Sequence, residues 1–359
     1  MVRPRRLGRT ARLIRTLAVV AVAIGGSALF VAKKDFASTP LGAETTSSTS
    51  MPQPTSTTTT YPSGPLGVGL YQDEVTEPGR SICPPLDAVC TVRSFELQIF
   101  YPAITSGSGP VLDAETALIH GPYPVIVFAH GFDLNPMNYY PMIQGWVQAG
   151  FIVAAPIFPL TSLAGLTEYN VNLNNEGQSD LYESDLLNQP QDIKAALANL
   201  NTIALSKNSS LYGMLNLASV ALAGQSDGGD TVLAAAYNSC CVIPGVKALA
   251  VLSGAEFPPF GGSYFSTPPL PILVTQGSAD TVNLPGDSQQ IFTQAPPPKY
   301  YLNLLGADHL APYTANDPYE QAVVSVSVAF FDFYLKGIGS SSEINSLGNV
   351  AGVSALSVD

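Results

Sequence analysis

Short apolar runs alternate with longer amphipathic segments over most of the 359-residue chain. The apolar runs are rich in β-branched and aromatic residues and predict strands at 92–101, 124–129, 151–155, 218–223, 247–252, 270–275 and 299–305. Helical periodicity predicts helices at 138–149, 190–201, 228–238, 286–294 and 318–335. Strands without polar alternation, separated by helices, are typical of a parallel sheet covered on both faces. The pattern therefore predicts one α/β domain over residues 66–337, with a mostly parallel central sheet and helices on both faces.

Three segments depart from this pattern. Residues 38–65 are dominated by Ser, Thr and Pro, so we expect a mobile linker that buries too little apolar surface to fold. Residues 161–188 fit neither period and follow a central strand, which leaves two interpretations, a surface loop or part of a substrate-binding wall. The Gly- and Ser-rich residues 338–359 predict a flexible C-terminal tail.

Residues 1–37 carry an export pattern. Six arginines in the first fifteen residues precede the uncharged apolar run from Leu17 to Ala32. The small tripeptide GSA at 26–28 indicates a cleavable signal peptide, whereas two lysines directly after the run indicate an uncleaved membrane anchor. Both interpretations place the following domain outside the cytoplasm. We expect a protein that is secreted or tethered to the outer face of the cell membrane.

The charge of the remaining chain limits its partners. Residues 38–359 contain seven basic and 26 acidic residues, for a formal charge of −19. Such a surface repels phosphate backbones, so we expect no nucleic-acid partner. Contact with a membrane is expected only through the possible N-terminal anchor, and we expect a monomer.

Four cysteines in an exported chain are expected to pair. Cys83 and Cys90 enclose a short loop, so a local bridge is the first choice there. Cys240 and Cys241 are adjacent, and would form a vicinal bridge or each reach another cysteine. No Cys or His spacing in the chain is typical of a zinc site.

Ser226 is the candidate nucleophile. It lies in GQSDG, directly after an apolar strand and before a helical pattern. A serine hydroxyl needs a sharp turn that exposes it and a base within hydrogen-bond reach, and the glycines at 224 and 228 permit such a turn. GxSxG alone is weak evidence in a chain this rich in glycine and serine, so the assignment depends on the other residues.

His309 and Asp280 complete the candidate triad. His309 follows a predicted strand and is the only histidine after Ser226. Asp280 follows the preceding strand, in the order Ser, acid, His that this layout requires. Glu256 is the alternative acid, and Asp308 is a poor candidate because a side chain adjacent in sequence generally points elsewhere.

The loop after the strand 124–129 is the candidate second half of an oxyanion hole. Gly131 permits the chain to turn the Phe132 N–H toward the site, where it would join the Asp227 N–H at the start of a helix. His130 is interpreted as a side chain that holds this loop. His120 lies in a turn and is interpreted as solvated.

These motifs together are similar to those of the α/β-hydrolase superfamily, and resemble the group of chlorophyllases, platelet-activating-factor acetylhydrolases and bacterial polyester hydrolases. The resemblance covers about residues 95–335 and includes, in order, YPVIVFAHGF, AGFIVAAP, QDIKAAL, VALAGQSDGG, LPILVTQGSAD and ADHL. It implies the same nucleophile, base and acid, with the Phe132 and Asp227 N–H groups as oxyanion donors. Many relatives carry histidine before the serine and a neutral or basic residue after it, where this chain has Gln225 and Asp227. Because a carboxylate facing the site would oppose oxyanion formation, we expect the Asp227 side chain to point away.

The function expected from these residues is an exported serine hydrolase that cleaves small or polymeric carboxylic esters. No metal or cofactor is required. Tyr139, Tyr140 and Phe257 are predicted to line an apolar substrate pocket. The alternatives are an extracellular acyltransferase that uses the same triad, and a non-catalytic surface module that keeps the fold.

Overall fold

A ten-stranded sheet crosses the part of the chain that the computed structural model describes, residues 66–359 without Ala88 and Ser106. Its strands are β1 (Gly67–Ile82), β2 (Thr91–Ala103), β3 (Val111–Leu112), β4 (Tyr123–Ala129), β5 (Ile152–Pro156), β6 (Leu215–Gln225), β7 (Val246–Leu252), β8 (Ile272–Gly277), β9 (Lys299–Leu304) and β10 (Ser354–Val358). Their order across the sheet is β10-β9-β8-β7-β6-β4-β5-β2-β1-β3. The six strands from β9 to β5 are parallel neighbours, whereas β2 on β5, β1 on β2, and β10 on β9 pair antiparallel. The mostly parallel central sheet is therefore as predicted.

Helices cover both faces of the sheet. They are α1 (Tyr140–Gln148), α2 (Leu163–Glu168), α3 (Glu176–Glu183), α4 (Gln189–Leu205), α5 (Asp227–Tyr237), α6 (Pro285–Gln294), α7 (Ala311–Thr314), α8 (Pro318–Phe331) and α9 (Ser341–Gly348). Along β4, Val127 joins the core shared with α4, α5 and α6, and its neighbour Phe128 joins the core shared with α1, α8 and α9. This two-sided burial explains why the central strands are apolar at every position.

The parallel strands bring the candidate site together. Because β6, β8 and β9 run in the same direction, their carboxyl ends lie at one edge of the sheet. Ser226, Asp280 and His309 lie in the connections that follow these three strands. The edge at which the strands end is called the carboxyl edge below.

The structure corrects the prediction that residues 338–359 form a flexible tail. This segment forms α9 and β10, and β10 pairs antiparallel with β9 at the end of the sheet. Ile344 is fully buried in the core on one sheet face, and Leu356 is 9% exposed. The glycines and serines that suggested disorder occupy turns and helix ends, including Ser340, whose hydroxyl accepts the Glu343 N–H at the start of α9.

Residues 161–188 are folded rather than a plain loop. They contain α2, α3 and a short 3₁₀ helix from Ser184 to Asn188. The end of the segment is fixed by Arg93 of β2, which is fully buried and donates to Asp185 at 2.8 Å and to Asp192 of α4 at 2.7 Å. Since a buried ion pair is costly to break, this contact holds the segment against the sheet.

The structure pairs all four cysteines of the chain. Cys83 bonds to Cys90, which confirms the local bridge, and Cys240 bonds to Cys241, which selects the vicinal bridge among the alternatives. The predicted export segment, residues 1–37, and the predicted linker, residues 38–65, lie outside the described residues. Within residues 66–359, apart from the two undescribed positions, we find no helix whose length and apolar character would suit a membrane span.

Substitutions in α9 test whether the C-terminal segment belongs to the folded domain. We expect Ile344→Ala to lower the free energy of unfolding by about 2–4 kcal/mol, because it leaves a cavity in the core. Leu347→Ala is the matched control on the same helix, since Leu347 is 37% exposed and its truncation should change stability by less than about 0.5 kcal/mol. Urea denaturation measures both values. Equal, small effects would show that the segment is not part of the core.

Candidate active site

Ser226 lies at a sharp turn between β6 and α5. Its backbone has φ of 55° and ψ of −122°, a strained conformation for a residue with a side chain. The turn is closed by Gly228, where a Cβ would lie 2.0 Å from the Ala129 carbonyl oxygen at the end of β4. Only glycine permits this approach. The strand-turn-helix geometry predicted for GQSDG is therefore present.

His309 bridges Ser226 and Asp280. Its Nε2 lies 2.9 Å from Ser226 Oγ, and its Nδ1 lies 2.7 Å from Asp280 Oδ2. The ionised carboxylate only accepts hydrogen bonds, so the imidazole proton belongs on Nδ1 and the Nε2 lone pair faces the serine hydroxyl. The His309 side chain is 15% exposed, whereas the Asp280 side chain is fully buried. The structure thus brings together the three residues predicted from the sequence.

The Asp280 carboxylate is held on both oxygens. Oδ1 accepts the backbone N–H groups of Val282 at 2.8 Å and Asn283 at 3.1 Å. Oδ2 accepts Gln276 Nε2 at 2.9 Å in addition to the histidine. These donors fix the direction in which the carboxylate meets the imidazole.

The two other acids considered for this role do different things. Asp308 Oδ1 accepts the backbone N–H groups of Leu310 and Ala311 at 3.0 and 2.9 Å, and so orders the chain that enters α7. Asp280 rather than Glu256 occupies the hydrogen-bond position on His309 Nδ1. Glu256 lies after β7, where its charge adds a little to the rise in the pKa of Tyr264 that is caused mainly by burial.

The loop that carries Phe132 lies against the serine turn. A Cβ on Gly131 would lie 3.2 Å from Ser226 Cβ, so the two segments touch at the carboxyl edge. The Phe132 side chain packs with Leu166 of α2 and Tyr182 of α3 in a small apolar cluster that is separate from the two main cores. The structure therefore places the predicted donor loop between the serine turn and residues 161–188.

Asp227 is the first residue of α5 and is 4% exposed. Its position in the first turn places a negative charge at the positive end of the helix dipole. Burial raises the pKa of the Tyr139 phenol, and the neighbouring Asp227 charge adds to this effect. The Asp227 carboxylate is therefore close enough to the buried phenol of Tyr139, on the α1 side of the sheet, for its charge to raise the pKa of that phenol.

One of the three predicted pocket residues, Tyr139, belongs to the core instead. Tyr139 is fully buried, and its Oη donates to Gln225 Oε1 at 2.7 Å and accepts the Gly131 N–H at 3.0 Å. Tyr140 packs against the same core, with its ring centroid 6.5 Å from that of Phe100. Tyr140, the first residue of α1, is half-buried, and its pocket role stays a prediction. Phe257 lies after β7, half-buried and packed on Phe260, and its pocket role stays a prediction.

His130 holds the loop, as the sequence suggested. Its Nε2 accepts the Phe158 N–H at 3.1 Å, so Nδ1 carries the proton and donates to the Gly131 carbonyl at 2.8 Å. Burial lowers the pKa of His130 to about 4. His120, by contrast, is exposed.

Sequence reasoning noted Gln225 only as a departure from the relatives and missed Gln276, and it assigned neither glutamine a role beside the candidate triad. Gln225 ends β6 and contacts His309, and Gln276 lies near the end of β8 and contacts Asp280. Both are fully buried. A polar residue at the carboxyl end of an otherwise apolar strand was the available signal. In residues 66–359, with positions 88 and 106 excepted, no group of three or more His, Cys, Asp or Glu side chains is arranged to hold a metal ion.

Comparison with known proteins gives a family match and a structural match. Residues 96–254 match the model of the chlorophyllase family, a range that includes Ser226 and ends before Asp280 and His309. The structure is similar to ferulic acid esterase from Streptomyces cinnamoneus, with a TM-score of 0.55 and 17% identity over 81% of this chain and 95% of that chain. At this identity the likeness shows a shared fold. No curated protein sequence matches the chain.

A pH series tests the neutral, buried state of His130. Its ordinary pKa of 6.5 falls to about 4 on folding, so between these values the unfolded chain binds the extra proton. The stability from this neutral histidine is complete above about pH 6.5 and is lost as the pH falls toward 4, by about 3 kcal/mol. We expect the free energy of unfolding, relative to His130→Gln, to fall by this amount between pH 7 and pH 4 in urea titrations.

The wild-type protein must be compared with His130→Gln because Glu320 changes the free energy of unfolding with pH in the opposite direction. Burial, with a smaller contribution from Asp317, raises the pKa of Glu320 from 4.5 to about 7. Its contribution to stability is therefore complete at low pH and is lost as the pH rises through 7. Glu320 is present in both proteins and cancels in the difference. A difference that does not change with pH would contradict the assignment for His130.

Proposed function

We propose that this chain, a member of the α/β-hydrolase superfamily and a carboxylic ester hydrolase, works through an acyl-enzyme on Ser226. The observation that carries the proposal is the unbroken contact from Ser226 Oγ to His309 Nε2 at 2.9 Å and from His309 Nδ1 to Asp280 at 2.7 Å. The strained turn at Ser226 supports it, because such strain persists where function requires it. The chlorophyllase match and the esterase fold support the same reaction class.

In the first half of the reaction, Ser226 Oγ attacks the ester carbonyl carbon. His309 Nε2 takes the hydroxyl proton as the new C–O bond forms, and Asp280 stabilises the imidazolium that results. The carbonyl oxygen becomes an oxyanion, for which the Phe132 and Asp227 N–H groups are the proposed donors. Collapse of the tetrahedral species breaks the bond to the alcohol oxygen, which receives the proton from His309.

In the second half, water replaces the alcohol. His309 Nε2 takes a proton from water as the water oxygen attacks the acyl carbon of the Ser226 ester. A second tetrahedral species forms against the same donors. Its collapse returns the proton to Ser226 Oγ and releases the carboxylic acid. Transfer to an alcohol in place of water would use the same groups and would appear as a transfer product when acceptor alcohols are added.

The charge around the site favours uncharged or cationic esters. The connections at the carboxyl edge, residues 130–139, 157–188, 226–230, 253–271, 278–284 and 305–317, contain twelve Asp and Glu residues and no Lys or Arg. Arg80 and Arg93, which lie near residues 161–188, are paired with Asp192 and Asp185. Lys247 and Lys299 lie near the amino ends of β7 and β9, away from the carboxyl edge. A rim that carries twelve acidic residues and, within these connections, no basic residue repels anionic substrates.

The proposed location is outside the cytoplasm. Two disulfides support an oxidising compartment, where such bonds form and persist. The arginine-rich segment followed by an apolar run supports export. Fractionation of intact host cells checks this, and recovery in the reduced cytoplasm would contradict it.

Active-site labelling tests the proposed nucleophile. We expect a fluorophosphonate probe to label the folded wild-type protein on Ser226, and Ser226→Ala to lose both the label and at least about 1000-fold of the p-nitrophenyl ester hydrolysis. Ser266→Ala is the control, because the Ser266 hydroxyl donates to the nearby Ser263 carbonyl at 2.9 Å and should be dispensable. Full hydrolysis by folded Ser226→Ala would exclude the proposed mechanism.

A pair of esters tests the proposed charge preference. We expect kcat/KM for p-nitrophenyl butyrate to exceed that for the monoanionic mono-p-nitrophenyl succinate by at least about tenfold at low salt. Added NaCl should narrow the ratio by raising the rate for the anionic ester only, because ions screen the repulsion. Hydrolysis rates give both values. Equal rates without salt dependence would reject the preference and leave the nucleophile assignment intact.

A further inference from the structure

A buried chain of hydrogen bonds connects the loop that carries Phe132 to the candidate base. The Gly131 N–H donates to Tyr139 Oη at 3.0 Å, Tyr139 Oη donates to Gln225 Oε1 at 2.7 Å, and Gln225 Nε2 donates to the His309 carbonyl oxygen at 3.1 Å. Tyr139 and Gln225 are both fully buried. Water therefore does not compete for these contacts, and they are stronger than exposed ones.

The direction of this chain is fixed by its members. Because Tyr139 Oη accepts the Gly131 N–H, its own proton is directed to Gln225. Burial raises the pKa of the Tyr139 phenol, which keeps that proton in place. Gln225 must then present its carbonyl oxygen to Tyr139 and its NH₂ group to His309. The Tyr139 hydroxyl thus fixes the orientation of the Gln225 side-chain amide.

The orientation of the amide matters at His309. Gln225 Nε2 lies 3.1 Å from the His309 carbonyl oxygen and 3.3 Å from His309 Nε2. An NH₂ group beside Nε2 is compatible with a lone pair on that nitrogen and opposes the tautomer with a proton there. The contact therefore favours the form in which Nδ1–H points to Asp280 and Nε2 is ready to accept the Ser226 proton.

The other end of the chain positions the donor loop. A Cβ on Gly131 would lie 2.7 Å from Gln225 Oε1 and 3.1 Å from Tyr139 Oη, so the loop is pressed directly on the same two side chains. Phe132 follows Gly131, and its N–H is set by the same stretch of backbone. A shift of Gln225 or Tyr139 would therefore move the proposed oxyanion donor and the base together.

We propose that Gln225 and Tyr139 are positioning residues that set the Phe132 loop and His309 in register with each other across Ser226. This proposal rests on the proposed function of the Ser226, His309 and Asp280 site. Tyr139 contacts no reacting atom, and Gln225, whose Nε2 lies 3.3 Å from His309 Nε2, neither gives nor takes a proton in the mechanism above. Their effect is on geometry, and a displacement of 1 Å in such a site lowers the rate strongly.

Four variants test the proposal by steady-state kinetics on p-nitrophenyl butyrate. We expect Tyr139→Phe and Gln225→Leu each to lower kcat about 10- to 100-fold and to change KM less than about threefold, because the donors act on the transition state. The double variant should lose little more than either single variant, because each already breaks the same chain. Gln225→His should retain kcat within about fivefold, since an imidazole carries an acceptor and a donor on opposite ring nitrogens.

Two control variants separate positioning from general loss of stability. The Tyr123 hydroxyl donates to the Ala117 carbonyl at 2.7 Å at the opposite end of the sheet, so Tyr123→Phe removes a comparable buried hydrogen bond without touching the chain. Gln98→Leu removes a largely buried amide on β2. Both should keep kcat within about twofold, whatever their melting temperatures.

The outcomes distinguish this proposal from the proposed function. Folded Tyr139→Phe with unchanged kcat would overturn the positioning role, as would additive losses in the double variant or no recovery in Gln225→His. If Gln225→Leu does not fold, Tyr139→Phe alone decides, because it deletes a single oxygen atom. Failure of the fluorophosphonate to label wild-type Ser226 would instead overturn the proposed function itself.

Discussion

The contact between the first turn of α5 and the end of β4 is the constraint on which the site depends. Gly228 approaches the Ala129 carbonyl so closely that a single methyl group would collide with it at 2.0 Å. The close approach brings the chain at 130–132 against Ser226 and tightens the turn until Ser226 adopts φ of 55°. The two parallel strands β4 and β6 are direct neighbours in the sheet, which makes the approach possible. Fold and site are therefore joined at one backbone contact.

The sequence predicted the central strands and the three triad candidates because both depend on short-range signals. Strands buried on two faces are apolar at every position, and residues that follow parallel strands meet at one edge. β1 was missed because GVGLYQDEVTEPGRSI mixes polar residues and glycine at a less buried position of the sheet. α9 and β10 were missed because their stability comes from contacts of Ile344 and Leu356 with distant core residues. Such contacts leave no local pattern.

The same reasoning explains the error at Tyr139. The sequence shows that this tyrosine follows the donor loop, but the side of the loop that it occupies is set by the 3₁₀ turn from Pro136 to Tyr139 and by packing on Phe128, 4.9 Å away between ring centroids. Its contact with Gln225 joins residues 86 positions apart. Neither fact is visible in a local window. Tyr139 is near the predicted site, yet it contacts the buried residues Gly131 and Gln225 and does not line a pocket.

An amide suits the position before the nucleophile because of the charges that surround it. Asp280 already places one buried carboxylate on His309, and Asp227 places another beside Tyr139. A further carboxylate at residue 225 would meet the His309 carbonyl oxygen with a like charge, and a cation would offer an alternative partner for the acids. Gln225 does neither, because its two ends are fixed dipoles that do not titrate. The neutral amide thus keeps the same donor and acceptor ends at any pH, next to carboxylates that titrate.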